Sequence, residues 1–129
     1  MIVSLHVASG AALGALTGSR TAALLGGPVL HALGDAIPHE DLPSRRFEIC
    51  SGLGALAAVA FRHGLVGPAT LGAAASAAPD LEHVLPLPRP GGRDLFPSHR
   101  VEGWHRSGGV PAWLQLAAAA GLLAFVLRR

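Results

Sequence analysis

The sequence predicts an all-α protein, a bundle of about five helices that is embedded in a membrane. Half of the 129 residues are apolar and only 14% are charged, values on the membrane side of an ordinary soluble domain. The apolar residues fall into five runs separated by Gly, Pro and polar residues, a pattern typical of helices joined by turns. A chain of this length forms one domain around a single core, here residues 1–129.

The first four predicted helices are rich in Ala and Gly, and two of them begin with a clear signal. Ser44 can cap the third helix through its side-chain oxygen. Pro68 suits the first turn of the fourth helix, where no backbone N–H is needed. The four helices are predicted at residues 2–18, 21–37, 45–61 and 68–78.

The C-terminal part of the chain contains an irregular loop and then its most apolar helix. Residues 86–98 hold four Pro and two consecutive Gly, and such loops in compact domains are usually functional or disordered. Residues 110–127 contain Gln115 as their only strongly polar side chain. A helix of that length spans about 27 Å, close to the thickness of a bilayer core. Trp113 and the final arginine pair suit the two interfaces, so we predict a transmembrane-type helix in a bacterial inner or plasma membrane.

Residues 31–41 are the most polar stretch, with two histidines and three carboxylates. His31, Asp35 and His39 are spaced by four residues and would share one face of a helix. Because Pro38 weakens the helix, we expect the helix to end near Ile37, with His39 on the following turn. Imidazole and carboxylate groups that converge at a helix end are ligands for a divalent metal.

Helix direction predicts where the other polar residues lie. If the five helices alternate in direction, every histidine except His63 and all eight acidic residues lie at one end of the bundle. The opposite end keeps arginines and no acid. The candidate ligands exceed the needs of one zinc ion, so we expect one to three ions, most simply zinc, with manganese or iron as alternatives. These ligands are His6, His31, Asp35, His39, Asp80, His83, His99 and His105.

Four further residues at that end are candidates for catalysis or substrate binding. Glu40 and Glu82 are possible general bases. Glu82 faces away from Asp80 and His83 on a helix, so it is either an outer carboxylate that supports a ligand or the base itself. Arg93 and Arg100 can bind a phosphate group.

Charge and cysteine content exclude several kinds of site. A net charge of +2 with scattered arginines does not predict a nucleic-acid surface. The single cysteine, Cys50, excludes both an internal disulfide and a zinc site made of several cysteines.

Four short blocks carry a resemblance to a known family. They are His6 with Gly10, then His31, Asp35 and Pro38-His39, then Ala78-Pro79-Asp80-Leu81-Glu82-His83, and last His99-Arg100 with His105-Arg106-Ser107. In these blocks the sequence resembles the predicted membrane-bound metal-dependent hydrolases, small multi-helix proteins distantly similar to zinc-dependent phospholipase C. Glu82 stands where that family usually has Asp, and the late histidines are spaced one residue wider. The resemblance implies hydrolysis of a phosphoester or a related bond at a metal centre.

We therefore expect a membrane-bound hydrolase in which metal-activated water attacks a phosphoester or lipid-like substrate. The alternative is a membrane protein that binds or transports a metal ion without catalysis. Transport favours polar residues within the helices, and this sequence has almost none there.

Overall fold

The computed structural model describes all 129 residues and is all-helical, which confirms the predicted class. Five helices have ten residues or more, and each begins and ends within two residues of its predicted bounds. Two four-residue helices lie between the fourth and the last of them. The helices are α1 (Val3–Thr17), α2 (Arg20–Ala36), α3 (Arg45–His63), α4 (Pro68–Ala77), α5 (Leu81–Val84), α6 (Pro97–Arg100) and α7 (Ala112–Leu127).

Helix α1 is the centre of the bundle and packs against α2, α3, α4 and α7. Its closest neighbour is α4, because glycines bring the two backbones together. A Cβ atom on Gly10 would lie 2.1 Å from the carbonyl oxygen of Gly72, and one on Gly14 would lie 2.0 Å from that of Pro68. Only a residue without a side chain fits at these two positions. We call this contact the α1–α4 seam.

The helix ends follow the signals in the sequence. Ser44 caps α3 by accepting a hydrogen bond of 3.3 Å from the N–H of Phe47, and Pro68 is the first residue of α4. Helix α2 ends at Ala36, and Ile37 has an extended backbone, as favoured for a residue before proline. His39 therefore lies on the turn beyond α2, as expected.

The C-terminal half differs from its prediction at two places. The irregular segment ends earlier than predicted because Pro97 starts α6, and proline is favoured at the first helical position. Helix α7 has 16 residues and starts two residues late, after Pro111. No helix of the protein combines the length and the apolar character that a membrane span requires. The predicted transmembrane-type helix therefore has no support from the structure.

The two ends of the bundle differ in composition. At one end Arg62 and His63 donate to carbonyl oxygens near the end of α7, and Arg129 donates to the carbonyl oxygen of Ala15. The other six histidines gather at the opposite end, which we call the histidine end. Between the two ends lies a core of small apolar side chains. It consists of Val7, Ala11, Ala12, Ala55, Val59, Ala69, Ala73 and Val126.

Candidate metal centre

Asp35, near the end of α2, is the central carboxylate of the histidine end and is 1% exposed. Its Oδ2 atom lies 3.0 Å from Nε2 of His31 and 3.3 Å from Nε2 of His99. These two Nε2 atoms are 3.1 Å apart. Oδ1 of Asp80 lies 3.8 Å from each of them. We call these four residues the inner group.

The spacing within the inner group matches a metal site. In a tetrahedral zinc site with bonds of about 2.0 Å, neighbouring ligand atoms are about 3.3 Å apart. In the inner group, the separations among the ligand atoms of Asp35, His31 and His99 are 3.0 to 3.3 Å, and Oδ1 of Asp80 lies 3.8 Å from both histidine nitrogens. A cation held by Asp35, His31 and His99 would therefore have bonds of ordinary length without movement of the helices.

Hydrogen bonds fix the orientation of both imidazole rings in the inner group. Nδ1 of His31 donates to the carbonyl oxygen of Ser76 at 2.8 Å, and Nδ1 of His99 donates to the carboxylate of Glu82. Because each Nδ1 carries the hydrogen, each Nε2 presents a lone pair when the ring is neutral. Two lone pairs and a carboxylate oxygen thus face one another. Only a proton or a metal cation relieves the repulsion among them, and this arrangement of histidine ligands is the one that metal sites use.

A second set of acceptors lies beside the inner group. Nδ1 of His39 donates to the carbonyl oxygen of Ile37 at 2.6 Å, and its Nε2 lies 3.0 Å from Nε2 of His105. These two histidines and Asp35 offer atoms that lie within 4.8 Å of one another, and we call the three residues the outer group. Asp41 lies 3.6 Å from Nε2 of His39. Asp35 belongs to both groups and so connects them.

The two remaining ligand candidates adjoin the inner group. The buried ring of His6 stacks on His31 with 3.9 Å between ring centroids, and its Nε2 lies 3.2 Å from Oδ1 of Asp35. His83 is exposed and can share an ion with Asp80 and His99. Two buried atoms, Nδ1 of His6 and Oδ2 of Asp80, have no hydrogen-bond partner. Such orphaned polar atoms are costly in a protein interior unless a ligand satisfies them, so this donor set fits a divalent metal.

Burial dominates the electrostatics of His6 and Asp80. It lowers the pKa of His6 to about 4 and raises the pKa of Asp80 to about 6. In both residues the apolar surroundings disfavour the charged form. His6 is therefore neutral and available as a ligand at pH 7.

Asp35 and His99 behave differently because they contact each other. Burial would raise the pKa of Asp35, but its contacts with His31, His6 and His99 outweigh burial and hold that pKa far below the usual value. Burial would lower the pKa of His99, but contacts with Asp35 and Glu82 raise it. The site thus contains a stable negative charge and retains a positive charge beside it. The N-terminal ammonium of Met1 is such a charge, 2.9 Å from Oδ1 of Asp35.

Glu82 supports the centre from outside. Its side chain is 3% exposed and accepts hydrogen bonds from the N–H groups of Leu95 and Phe96 as well as from His99. Burial opposes its ionisation, but these bonds together keep its pKa below the ordinary value. Of the two roles predicted for Glu82, the geometry matches the outer carboxylate, which orients His99 and holds the irregular segment against α5.

The other predicted residues lie farther out. Glu40 is exposed, and its backbone N–H donates to the carbonyl oxygen of Val110. Arg93 and Arg100 are exposed as well. None of these three lines the polar cavity of about 240 Å³ at the centre, so their assignments stay predictions. That cavity is lined by Met1, Asp35, Asp41, Glu48, Asp80, His83, His99 and His105.

Several residues that support the site were not singled out in the sequence. Ser98 is buried and donates to Oδ2 of Asp35 at 2.7 Å, and Trp104 donates to the carbonyl oxygen of Ala32 at 2.8 Å. Glu48 lines the cavity, and burial raises its pKa. No periodic pattern distinguishes these residues from other polar residues.

Gln115 did have a signal in the sequence, because it is the one polar side chain of α7. It accepts from the N–H of Ile2 and donates to the carbonyl oxygen of Glu40.

Comparisons of the chain with family models, with curated proteins and with solved structures found no match. The likeness to membrane-bound metal-dependent hydrolases therefore rests on the four sequence blocks alone.

Proposed function

We propose that this protein is a metal-dependent hydrolase that acts on a phosphoester or a related bond. The observation that carries the proposal is the inner group, where the Nε2 atoms of His31 and His99 and Oδ2 of Asp35 lie 3.0 to 3.3 Å from one another. A divalent cation held there would polarise a phosphoryl oxygen and make a water molecule more acidic. Zinc suits this mixture of imidazole and carboxylate ligands, and manganese or iron are the alternatives.

The chain's own residues would divide the remaining tasks. The carbonyl oxygen of Ser76 and the carboxylate of Glu82 hold the imidazole rings, and Ser98 holds Asp35. The polar cavity gives a substrate access to the centre. Glu48 lines that cavity, and burial raises its pKa, a change in the direction that favours accepting a proton. We therefore propose Glu48 as general base, ahead of Glu40 and Glu82.

We further propose that the protein works at a bacterial inner or plasma membrane, in contact with lipid. Twenty large apolar side chains are exposed, among them Leu25, Phe61 and Leu65. Contact with lipid would cover such side chains, as exposed apolar surface often marks a membrane or protein contact. Flotation of the purified protein with vesicles of phosphatidylglycerol and phosphatidylethanolamine tests this location. Co-flotation supports it, and protein that stays at the bottom of the gradient without lipid contradicts it.

Metal content is the first test of the proposed function. We expect one to three equivalents of zinc, manganese or iron per chain by elemental analysis of protein without a histidine tag. Replacing His31 and Asp35 together by Ala should abolish metal binding while circular dichroism still reports the helices. His63→Ala is the matched control, because His63 lies at the opposite end of the bundle.

Two results would overturn the proposed centre. One is a folded protein that stays free of metal after incubation with these ions, and the other is full metal content in the double variant. Metal binding without hydrolysis of any phosphoester would instead favour the non-catalytic alternative, a protein that binds or transports the ion.

A further inference from the structure

An apolar groove lies directly beside the candidate metal centre. It runs between α1, α3, α4 and α5 and has a volume of about 230 Å³. Ten of its twelve lining residues are hydrophobic, and the other two are Gly52 and Asp80. The hydrophobic ones are Val3, Val7, Ile49, Leu53, Leu56, Ala74, Ala77, Ala78, Leu81 and Val84.

Asp80 connects this groove to the metal centre. It is the groove's only charged side chain, and it also lines the polar cavity. Its Oδ1 atom is 3.8 Å from the Nε2 atoms of His31 and His99, while its buried Oδ2 atom has no partner. A molecule that occupied both spaces would be polar at the Asp80 end and apolar along the rest of its length.

We propose, building on the proposed function, that the substrate is an amphiphile with a single aliphatic chain. Its hydrolysable head group lies at the metal centre and its chain lies in the groove between α3 and α4. The natural substrate would then be a monoalkyl or monoacyl phosphoester rather than a small polar phosphate.

The dimensions of the groove favour one chain. Its volume lies below the range of roughly 300–1,000 Å³ that is usual for pockets of drug-sized ligands, which favours one chain over two. The groove also explains exposed side chains on its rim. Leu53, Leu81 and Val84 remain largely exposed, and an aliphatic chain in the groove would cover them and remove apolar surface from water.

Binding of alkylphosphonates tests the proposal without requiring turnover, because their phosphorus–carbon bond is not hydrolysed. Methyl-, butyl-, octyl- and hexadecylphosphonate are titrated by calorimetry into zinc-loaded protein and into protein stripped with a chelator. We expect the affinity of the zinc-loaded protein to rise about fourfold per added methylene until the groove is full, and to level off before hexadecyl. Methylphosphonate should bind only to the zinc-loaded protein.

A matched pair of variants locates the chain. Leu53→Gln places an amide in the groove, and Leu33→Gln makes the same change on α2, outside the groove. The two leucines are 62% and 57% exposed, so neither change removes a core side chain. We expect Leu53→Gln to weaken octylphosphonate binding about tenfold and to leave methylphosphonate binding unchanged. Leu33→Gln should change neither.

The outcomes separate this inference from the function on which it rests. If methyl- and octylphosphonate bind the zinc-loaded protein equally, the groove is not the chain site, although the metal centre stands. If affinity rises with chain length to the same extent with and without zinc, the groove binds a chain and the proposed metal function fails. Dioctyl phosphate that binds as tightly as octylphosphonate would overturn the assignment of a single chain.

Discussion

The α1–α4 seam and the histidine end are both close contacts, but they depend on opposite properties of their side chains. At the seam, Gly10, Gly14 and Gly72 let two backbones approach because they carry no side chain. At the histidine end, the Nε2 atoms of imidazole rings lie close to the carboxylate oxygens of Asp35. The seam is complete within the chain, whereas the histidine end is the proposed binding site of a cation from outside. We therefore expect the two regions to respond differently to metal and to mutation.

The largest difference should follow removal of metal. Zinc that binds only the folded protein stabilises it by about 4 kcal/mol at a free concentration a thousand times its dissociation constant. Urea unfolding with saturating zinc and with a chelator measures this change, and hydrogen exchange locates it. We expect the chelator to reduce protection near His31 and His99 and to leave the seam around Gly10 protected. Equal loss of protection in both regions would mean that the two are not independent.

The next largest effect should come from one methyl group placed in the seam. In Gly10→Ala the new Cβ meets the carbonyl oxygen of Gly72 at 2.1 Å, and backbone cannot yield as a side chain can. We expect a loss of about 3 kcal/mol in the free energy of unfolding, the upper part of the range for overpacking. The loss should be the same with and without zinc.

The control for the seam is the same substitution at an open glycine. A Cβ on Gly121 of α7 would have no neighbour within 4 Å, so Gly121→Ala should be neutral or stabilise by up to about 1 kcal/mol. A Gly10→Ala variant as stable as Gly121→Ala would contradict the steric account of the seam.

A smaller effect should distinguish the two roles of Glu82. Because Glu82 orients His99 through Nδ1, Glu82→Gln should lower zinc affinity about 10- to 100-fold, the usual cost of losing a supporting carboxylate. Competition with a fluorescent chelator measures this affinity. Glu40→Gln, at an exposed glutamate, is the control and should bind zinc normally. Unchanged affinity together with lost hydrolysis would instead assign Glu82 as the general base.

The smallest effect on stability should come from the apolar surface. Phe61 on α3 is 96% exposed and contributes little to the core, so Phe61→Ser should change the unfolding free energy by less than about 0.5 kcal/mol. The same variant should bind phospholipid vesicles more weakly than the wild type, as measured by flotation. Unaltered vesicle binding would remove Phe61 from the proposed lipid contact.

The sequence predicted the frame of the molecule well, because the signals for it are local. Ser44 and Pro68 mark helix starts wherever they occur, and Pro38 ends α2 through its own ring. Helix direction then predicted which histidines meet, since that argument needs only the number of helices. The structure agrees with it, as His63 is the one histidine at the other end.

Details of the site escaped prediction because they depend on pairs far apart in the chain. The hydrogen bond from Ser98 to Asp35 joins residues 63 positions apart, and no rule based on spacing in the sequence predicts such a contact. The same holds for Glu82, whose role depends on the path of residues 85–96 across its carboxylate. The prediction of a membrane-spanning α7 also gained no support from the structure. Apolar length, together with Trp113 and the final arginine pair, had placed that helix in a membrane, but the helix starts only after Pro111 and is shorter than predicted.

The spread of ligands along the chain has a consequence for biosynthesis. His31 and Asp35 leave the ribosome long before His99 and His105, yet the inner group needs residues from both stretches. A nascent chain that ends before His99 contains the sequences of α1 and α2 but lacks part of the inner group. Since proteins fold from their N-terminus as they are made and metal capture is coupled to folding, the proposed ion would enter last, into an almost complete chain. With the proposed metal centre, the supply of metal in the cell would act on the final folding step, and scarcity would leave a helical precursor open at one end.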